Sequence, residues 1–294
     1  MRMKYVSKIQ ANLSSYNVIH TNKVTNCVLD GSYTSVFKGK SMNFDELREY
    51  VMGDDVKDID WKATSRSGKV LVRQYIAEKK HNIMFVFDTN RRMLGKSKDG
   101  TEKRELAIMA AGTLALFVNR NSDYIGATYA TEKGMQQFPF KTGLANIELM
   151  LQDFDKSVTM DNHTDVNRAL EYIIRNFKRR MVIVIVTDLE GVCKISEPNL
   201  KRLKVMNDVL MIRVLDAELQ GDKLFDLGED AYLEDFYAKD RRLLKKLKEE
   251  TQRLRQECEN KLNHYGIACA EIDNLTNMER EINHMLAKHK FEKR

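Results

Sequence analysis

The run Met181-Val-Ile-Val-Ile-Val-Thr-Asp188 constrains this chain more than any other stretch. Its first six residues are all apolar, so a strand built from them has no face to give to water. Such a strand has to sit in the middle of a sheet with helices on both sides. Asn82-Ile-Met-Phe-Val-Phe-Asp88 repeats the pattern, and it too ends in an aspartate.

The chain from residue 81 onward alternates strand-like and helix-like stretches. Strands are expected at Asn82–Asp88, Tyr124–Ala130, Met181–Asp188, Val209–Asp216 and Ile267–Ile272. Gly134–Phe140 is expected to pair with Tyr124–Ala130 through a turn at Glu132-Lys133. Helices are expected over Glu102–Asn119, Leu144–Phe154, Asp165–Phe177, Asn199–Met206, Asp235–Tyr265 and Asn277–Lys288. The first of these sets Leu106, Met109, Ala110, Thr113, Leu114 and Phe117 on one face. This rhythm predicts an α/β fold, a Rossmann-like doubly wound and mostly parallel sheet, over residues 81–294. In such sheets ligands bind at the carboxyl ends of the strands, where strand order reverses. Asp88 and Asp188 are therefore expected on one edge of the sheet.

Residues 1–80 read as an N-terminal helix- and β-rich segment, and the lack of any Pro/Gly/Ser-rich linker argues for one continuous compact unit with the rest. Short strands are expected around Gly31 within Asn26–Lys38. A helix is expected over Asn43–Val51, with Phe44, Leu47 and Tyr50 on one side, and a strand over Val70–Tyr75. Between the last two lies Gly53-Asp-Asp-Val-Lys-Asp-Ile-Asp-Trp61, which holds Asp54, Asp55, Asp58, Asp60 and the chain's single tryptophan. One reading is a divalent-cation site made of oxygen ligands, although the spacing does not match the helix–loop–helix calcium loop. The preferred reading is a turn whose carboxylates accept backbone N–H and arginine hydrogen bonds.

Composition narrows the function. The net charge is only +6, and the basic stretch Lys239–Lys261 is interspersed with acids. That pattern reads as a solvated helix face rather than a nucleic-acid surface, since no aromatic platform accompanies it. Cys27, Cys193, Cys258 and Cys269 form no CxxC pair, and reduced thiols are expected. The start, MRMKYVSKIQ, lacks the apolar core of a signal peptide, and no apolar run is long enough to cross a bilayer. A cytoplasmic location is the expectation, with no membrane contact.

Markers of catalysis are missing. Gly39-Lys40-Ser41 and Gly95-Lys96-Ser97 look like the end of a phosphate-binding loop, but Thr34 and Asn90 stand where its earlier glycine belongs. No nucleophile elbow and no paired-histidine zinc motif occurs. A non-enzymatic protein is expected. The alternative is a metal-dependent hydrolase or nuclease using the carboxylates from Asp54 to Asp60.

Two groups of residues carry a family resemblance. The first runs through Gly31-Ser-Tyr-Thr-Ser, Phe44-Asp-Glu-Leu-Arg-Glu-Tyr50, Gly53-Asp-Asp-Val-Lys-Asp-Ile-Asp-Trp-Lys-Ala-Thr-Ser-Arg66 and Val72-Arg-Gln-Tyr75. It resembles the hallmark of the bacterial and archaeal domain-of-unknown-function-58 family, with Arg48, Asp54, Asp55, Asp58, Asp60, Trp61 and Arg66 as signature residues. At Lys40-Ser-Met-Asn43 the chain departs from relatives, which carry a glycine and an acid there. The second group is Asp88-x-Asn-x-Arg92, Thr164 and Thr187-Asp188. It resembles the metal-ion-dependent adhesion site of a von Willebrand factor A domain.

The resemblance implies a von Willebrand factor A-like fold. It also implies partnership with a MoxR-type AAA+ ATPase in chaperone-like assembly or maturation of a client protein complex. Many relatives carry membrane helices before the signature, so this chain is expected to be of a shorter, soluble branch. In the adhesion site of such a family Asp88, Asn90, Thr164 and Asp188 would hold Mg²⁺. Arg92 stands where a serine ligand belongs, and a guanidinium has only donors to offer. Two outcomes stay open: Arg92 fills the metal's place against Asp88 or Asp188, or it turns to solvent and Mg²⁺ binds.

Overall fold

The computed structural model describes residues 3–19, 46–74, 80–216, 225–226, 231–232 and 241–292. Six strands form one sheet: β3 (Asn82–Phe87), β4 (Tyr124–Thr131), β5 (Gly134–Lys141), β6 (Val182–Asp188), β7 (Asp208–Val214) and β10 (Ala268–Ile272). Their order across the sheet is β10-β7-β6-β3-β4-β5. All neighbours run parallel except β4 and β5, which form the expected hairpin. This is the α/β fold with a mostly parallel, doubly wound sheet that the strand pattern predicts. The short pairs β1 (Glu46–Glu49) with β2 (Leu71–Gln74) and β8 (Phe225–Asp226) with β9 (Ala231–Tyr232) stand outside the main sheet.

Alternation along the central strands explains the two layers. Phe85, Phe87, Val184 and Val186 face a core with helices α1 (Lys4–Ile19), α3 (Lys103–Arg120), α4 (Leu144–Ser157) and α9 (Met278–Glu292). Met84, Val86, Ile183 and Ile185 face a second core. It is closed by α5 (Val166–Asn176), α6 (Leu189–Lys194), α7 (Glu197–Met206) and α8 (Arg241–His264). Every residue of β6 is buried, as a strand apolar on both faces requires.

Strand order reverses between β3 and β6. From β3 the chain builds outward to β4 and β5, then returns to β6 and builds the other way to β7 and β10. That reversal places the carboxyl ends of β3 and β6 side by side. Asp88 N donates to Val186 O at 2.9 Å, which fixes the register there.

Four expectations change. The helix predicted over Asn43–Val51 is not formed in its described part, since residues 46–49 are strand β1, paired antiparallel with β2. Leu47 and Tyr50 are exposed, so no packing surface rewards a helical face, whereas β2 offers backbone partners. The N-terminal segment also holds helix α1, for which no signal was read. Tyr5, Val6, Ile9 and Leu13 of α1 lie in the same core as the sheet, so this part of residues 1–80 packs with the α/β unit. The short helix α6 was not anticipated either. The expectation of reduced thiols also fails, because Cys193 of α6 and Cys258 of α8 form a disulfide, with Cα atoms 5.7 Å apart. Among the described residues Cys269 is a free cysteine. The strands expected within Asn26–Lys38 lie outside the described residues, as does the stretch from Asp235 to α8.

Candidate functional site

The strand ends build the site. Asp88 follows β3 and Asp188 ends β6, and each is 1% exposed. Asp188 also caps α6, its Oδ1 accepting from Gly191 N at 2.8 Å. A Cβ on Gly191 would fall 2.7 Å from Asp88 Oδ2 and collide with Thr187 Oγ1, so only glycine lets this helix start so close to the strand ends. Thr187 Oγ1 donates to Asp88 Oδ2 at 2.7 Å.

Asn90 caps the short 3-10 turn Arg91–Leu94, its Oδ1 accepting from Arg92 N at 3.1 Å. Its Nδ2 donates to Thr164 O at 3.0 Å. Thr164 Oγ1 lies 3.0 Å from Ala130 O and 2.7 Å from Asn162 Oδ1. The four residues named from sequence thus come together at one edge of the sheet, together with Arg92.

Two cations enter the same place. Arg92 Nη2 donates to Asp88 Oδ2 at 3.2 Å. Its Nε lies 3.4 Å from Asp188 Oδ2 and 3.6 Å from Glu190 Oε2, ion-pair distances rather than aligned hydrogen bonds. Lys103, from the first turn of α3, donates from Nζ to Asp188 Oδ2 at 2.8 Å and also to Asp216. Sequence reasoning missed Lys103, Glu190 and Asp216. The signal was available for the lysine, because the first turn of a helix that follows a central strand lies at the carboxyl edge of such a sheet.

The electrostatics follow from burial and these cations. Burial first, and then the neighbouring Asp188 charge, push the Asp88 carboxyl up to about 6 against the pull of Arg92. Burial works the same way on Asp188, but Lys103 and Arg92 outweigh it and hold that carboxyl at about 2. Lys103 is buried, which favours its neutral form, yet Asp188 and Asp216 raise it above an ordinary lysine.

This donor set does not fit a hard divalent cation. Such an ion needs several free oxygens in an octahedron. Here the Asn90 oxygen caps its own turn, and the Thr164 hydroxyl is engaged with Ala130 O and Asn162. The two carboxylates already face a guanidinium and an ammonium. Mg²⁺ would have to displace both cations.

The signature carboxylates are used locally. Asp54 accepts from Arg48 Nη2 at 2.5 Å and from Val51 N at 2.9 Å. Asp55 accepts from Lys57 N, and Asp60 accepts from Lys62 N and Ala63 N, each at 3.0 Å, which starts helix α2 (Trp61–Ser67). Asp58 lies in the 3-10 turn Val56–Asp58, and its side chain is outside the described set. Trp61 is 64% exposed and Arg66 is exposed. Among the described residues no group of three or more His, Cys, Asp or Glu side chains is placed to hold a metal ion.

A family model described as "Protein of unknown function DUF58" matches residues 46–264. The chain is similar to uncharacterized proteins of Mycobacterium bovis and Mycobacterium tuberculosis, 31% identical over 216 residues. The match covers 71% of this chain and spans 65% of the length of those curated relatives. Among solved structures, BatB from Bacteroides thetaiotaomicron is similar with a TM-score of 0.46 at 16% identity, over 71% of this chain and 98% of that one. A von Willebrand factor type A structure from Catenulispora acidiphila is similar with a TM-score of 0.39 at 9% identity, over 73% and 43% of the two chains. The SpRpn10 VWA domain is similar with a TM-score of 0.38 at 9% identity, over 68% and 94%.

Proposed function

The chain belongs to the DUF58 family of proteins of unknown function, and from that premise we propose that it is a non-enzymatic adaptor that binds another protein through the β3–β6 edge. The proposed partner is a MoxR-type AAA+ ATPase, acting with this chain on a client protein in chaperone-like assembly or maturation. The carrying observation is the closed set Arg92–Asp88 and Lys103–Asp188 at the reversal of strand order. In this sheet class that reversal is where ligands are met. Its two buried carboxylates are each paired with a cation of the same chain.

The reading needs no metal. Arg92 and Lys103 are buried and paired with Asp88 and Asp188, so they are not open to a partner's acidic group, and the exposed rim is acidic. Glu190 and Asp216 side chains are each about half exposed, at 52% and 50%, while they remain paired with Arg92 and Lys103. A partner with basic groups suits that rim, and charge complementarity of this kind sets specificity and encounter rate. The alternative hydrolase reading lacks support, since Asp54, Asp55 and Asp60 each accept a hydrogen bond within their own turn.

The test is capture of a purified MoxR-type AAA+ ATPase by the immobilised chain. Wild-type protein is expected to retain it, and a Glu190→Lys, Asp216→Lys double variant to lose it while keeping its circular dichroism spectrum. Equal capture by both proteins counts against the edge as the docking surface. Incubation of the pure chain with Mn²⁺ and phosphoesters or nucleic acid addresses the enzyme question, and unaided turnover would sink the adaptor reading.

A further inference from the structure

The opposite end of the sheet carries a different chemistry. There the amino ends of β3, β4 and β6 meet the short connection that follows α5. An open groove of about 490 Å³ lies at this end, lined by Tyr124, Phe140, Phe177 and Met181 and by Lys178 and Arg179. Its two remaining lining residues are asparagines, so no carboxylate lines it.

The strands and α5 hold the aromatic wall in place. Tyr124 opens β4 and is 37% exposed. Phe140 of β5 sits over Gly126 of β4, where a Cβ would come within 3.1 Å of its ring. Phe177 follows α5 and meets Phe140 edge to face, with ring centroids 6.2 Å apart. Phe140 and Phe177 are each half-buried, so the groove leaves apolar surface of three rings in water.

The charge around these rings is one-sided. Lys178 and Arg179 are exposed, and neither forms an ion pair among the described residues, whereas the flanking Arg175 and Arg180 pair with Glu171 and Asp208. Lys80 adds a third cation, its Nζ 5.3 Å from the centroid of the Tyr124 ring. Two acids of the same edge are already engaged. Asp123 is fully buried and accepts from His81 N at 2.8 Å, and Asp208 faces Arg180.

We propose that this groove is a docking site for an acidic segment of a partner protein that inserts one aromatic side chain. The ring enters beside Tyr124, Phe140 and Phe177, and the flanking carboxylates meet Lys178, Arg179 and Lys80. Three cations grouped around one pocket suit a single apolar anchor with charges beside it. A single-stranded nucleic acid is held by a basic track with successive stacking platforms, and the rings here are gathered in one pocket. The groove lies at the end of the sheet away from Asp88 and Asp188 and does not rest on the adaptor reading.

Fluorescence anisotropy of a labelled peptide titrated with the full chain tests this. The probe is a short run of aspartates and glutamates around one phenylalanine. The controls are the same peptide with serine for phenylalanine and an oligothymidylate of equal charge. The phenylalanine peptide is expected to saturate, and the serine peptide to bind about tenfold more weakly, the scale of burying most of one aromatic ring. A Lys178→Glu, Arg179→Glu double variant, changed at exposed positions, should bind the phenylalanine peptide at least about tenfold more weakly. The serine comparison uses wild-type protein alone, so it decides even if the double variant does not fold. No saturation, equal affinity for the serine peptide, unchanged affinity in a folded double variant, or tighter binding of the oligothymidylate would each overturn the proposal.

Discussion

Lys103 Nζ donates to Asp188 Oδ2 at 2.8 Å, with both side chains almost sealed from solvent, at 3% and 2% exposure. The pair ties the first turn of α3 to the end of β6. A buried pair like this is weak evidence of net stabilisation, but removing one partner strands the other charge. Lys103→Met is therefore expected to destabilise the chain by about 3–5 kcal/mol. Adding Asp188→Asn should recover a large part of that loss. Urea unfolding of the two single variants and the double variant gives the coupling energy. Additive losses would show that the two groups do not act as a pair.

The two aspartates give opposite pH slopes. Asp88 titrates near 3.8 when unfolded and near about 6 when folded. A raised carboxyl binds its proton more tightly in the folded chain, so its contribution is full below the unfolded value and is lost as pH rises through about 6. Asp188 is held down at about 2, so its contribution is present above 3.8 and is lost as pH falls through about 2. Asp88→Asn should flatten the fall in melting temperature between about pH 4 and pH 6. A wild-type slope in that variant would mean the Asp88 proton is not held as described.

Glu148 fastens α1 to α4. Its buried carboxylate accepts from Lys4 N at 2.9 Å, from Tyr5 N at 3.0 and 3.1 Å, and from Val6 N at 2.8 Å. Burial opposes its charge, but these N–H groups and Gln152 hold it below the usual glutamate range. Glu148→Ala should cost about 3 kcal/mol, as a lost cap plus unmet buried donors. Hydrogen exchange should accelerate across α1 while β6 stays protected. Uniform acceleration would mean that α1 does not open by itself.

Gly191 is required by space, since its neighbours Thr187 Oγ1 and Asp88 Oδ2 leave no room for a methyl group. Gly191→Ala is expected to lose about 1–3 kcal/mol through overpacking, despite the better helix propensity of alanine. A thermal melt as stable as wild type would contradict that geometry.

The Cys193–Cys258 disulfide joins α6 to α8 across a sequence separation of 65. Closing a loop of that size is worth about 4 kcal/mol in the chain-entropy account. Mass spectrometry of a non-reducing digest should find the two peptides linked, and Cys193→Ser, Cys258→Ser should melt earlier. Free thiols at both positions in the purified chain would remove this link from the fold.

The chain's local pattern determined a good deal. Runs that are apolar on both faces identified β3 and β6 as central strands, because such runs have no solvent face. Their shared aspartate ending placed Asp88 and Asp188 on one edge, because parallel strands point their carboxyl ends the same way. Asn90, Thr164 and Arg92 followed from the family pattern. Tertiary structure decided the rest. Residues 46–49 became strand because β2 offered backbone partners. Lys103, Glu190 and Asp216 joined the site, Glu148 capped a distant helix, and Tyr124, Phe140 and Phe177 were gathered beside Lys178 and Arg179. Sequence periodicity reports which face of an element is apolar. It does not report which remote side chains the crossovers bring within hydrogen-bonding distance, and the charge balance of this site is made of those meetings.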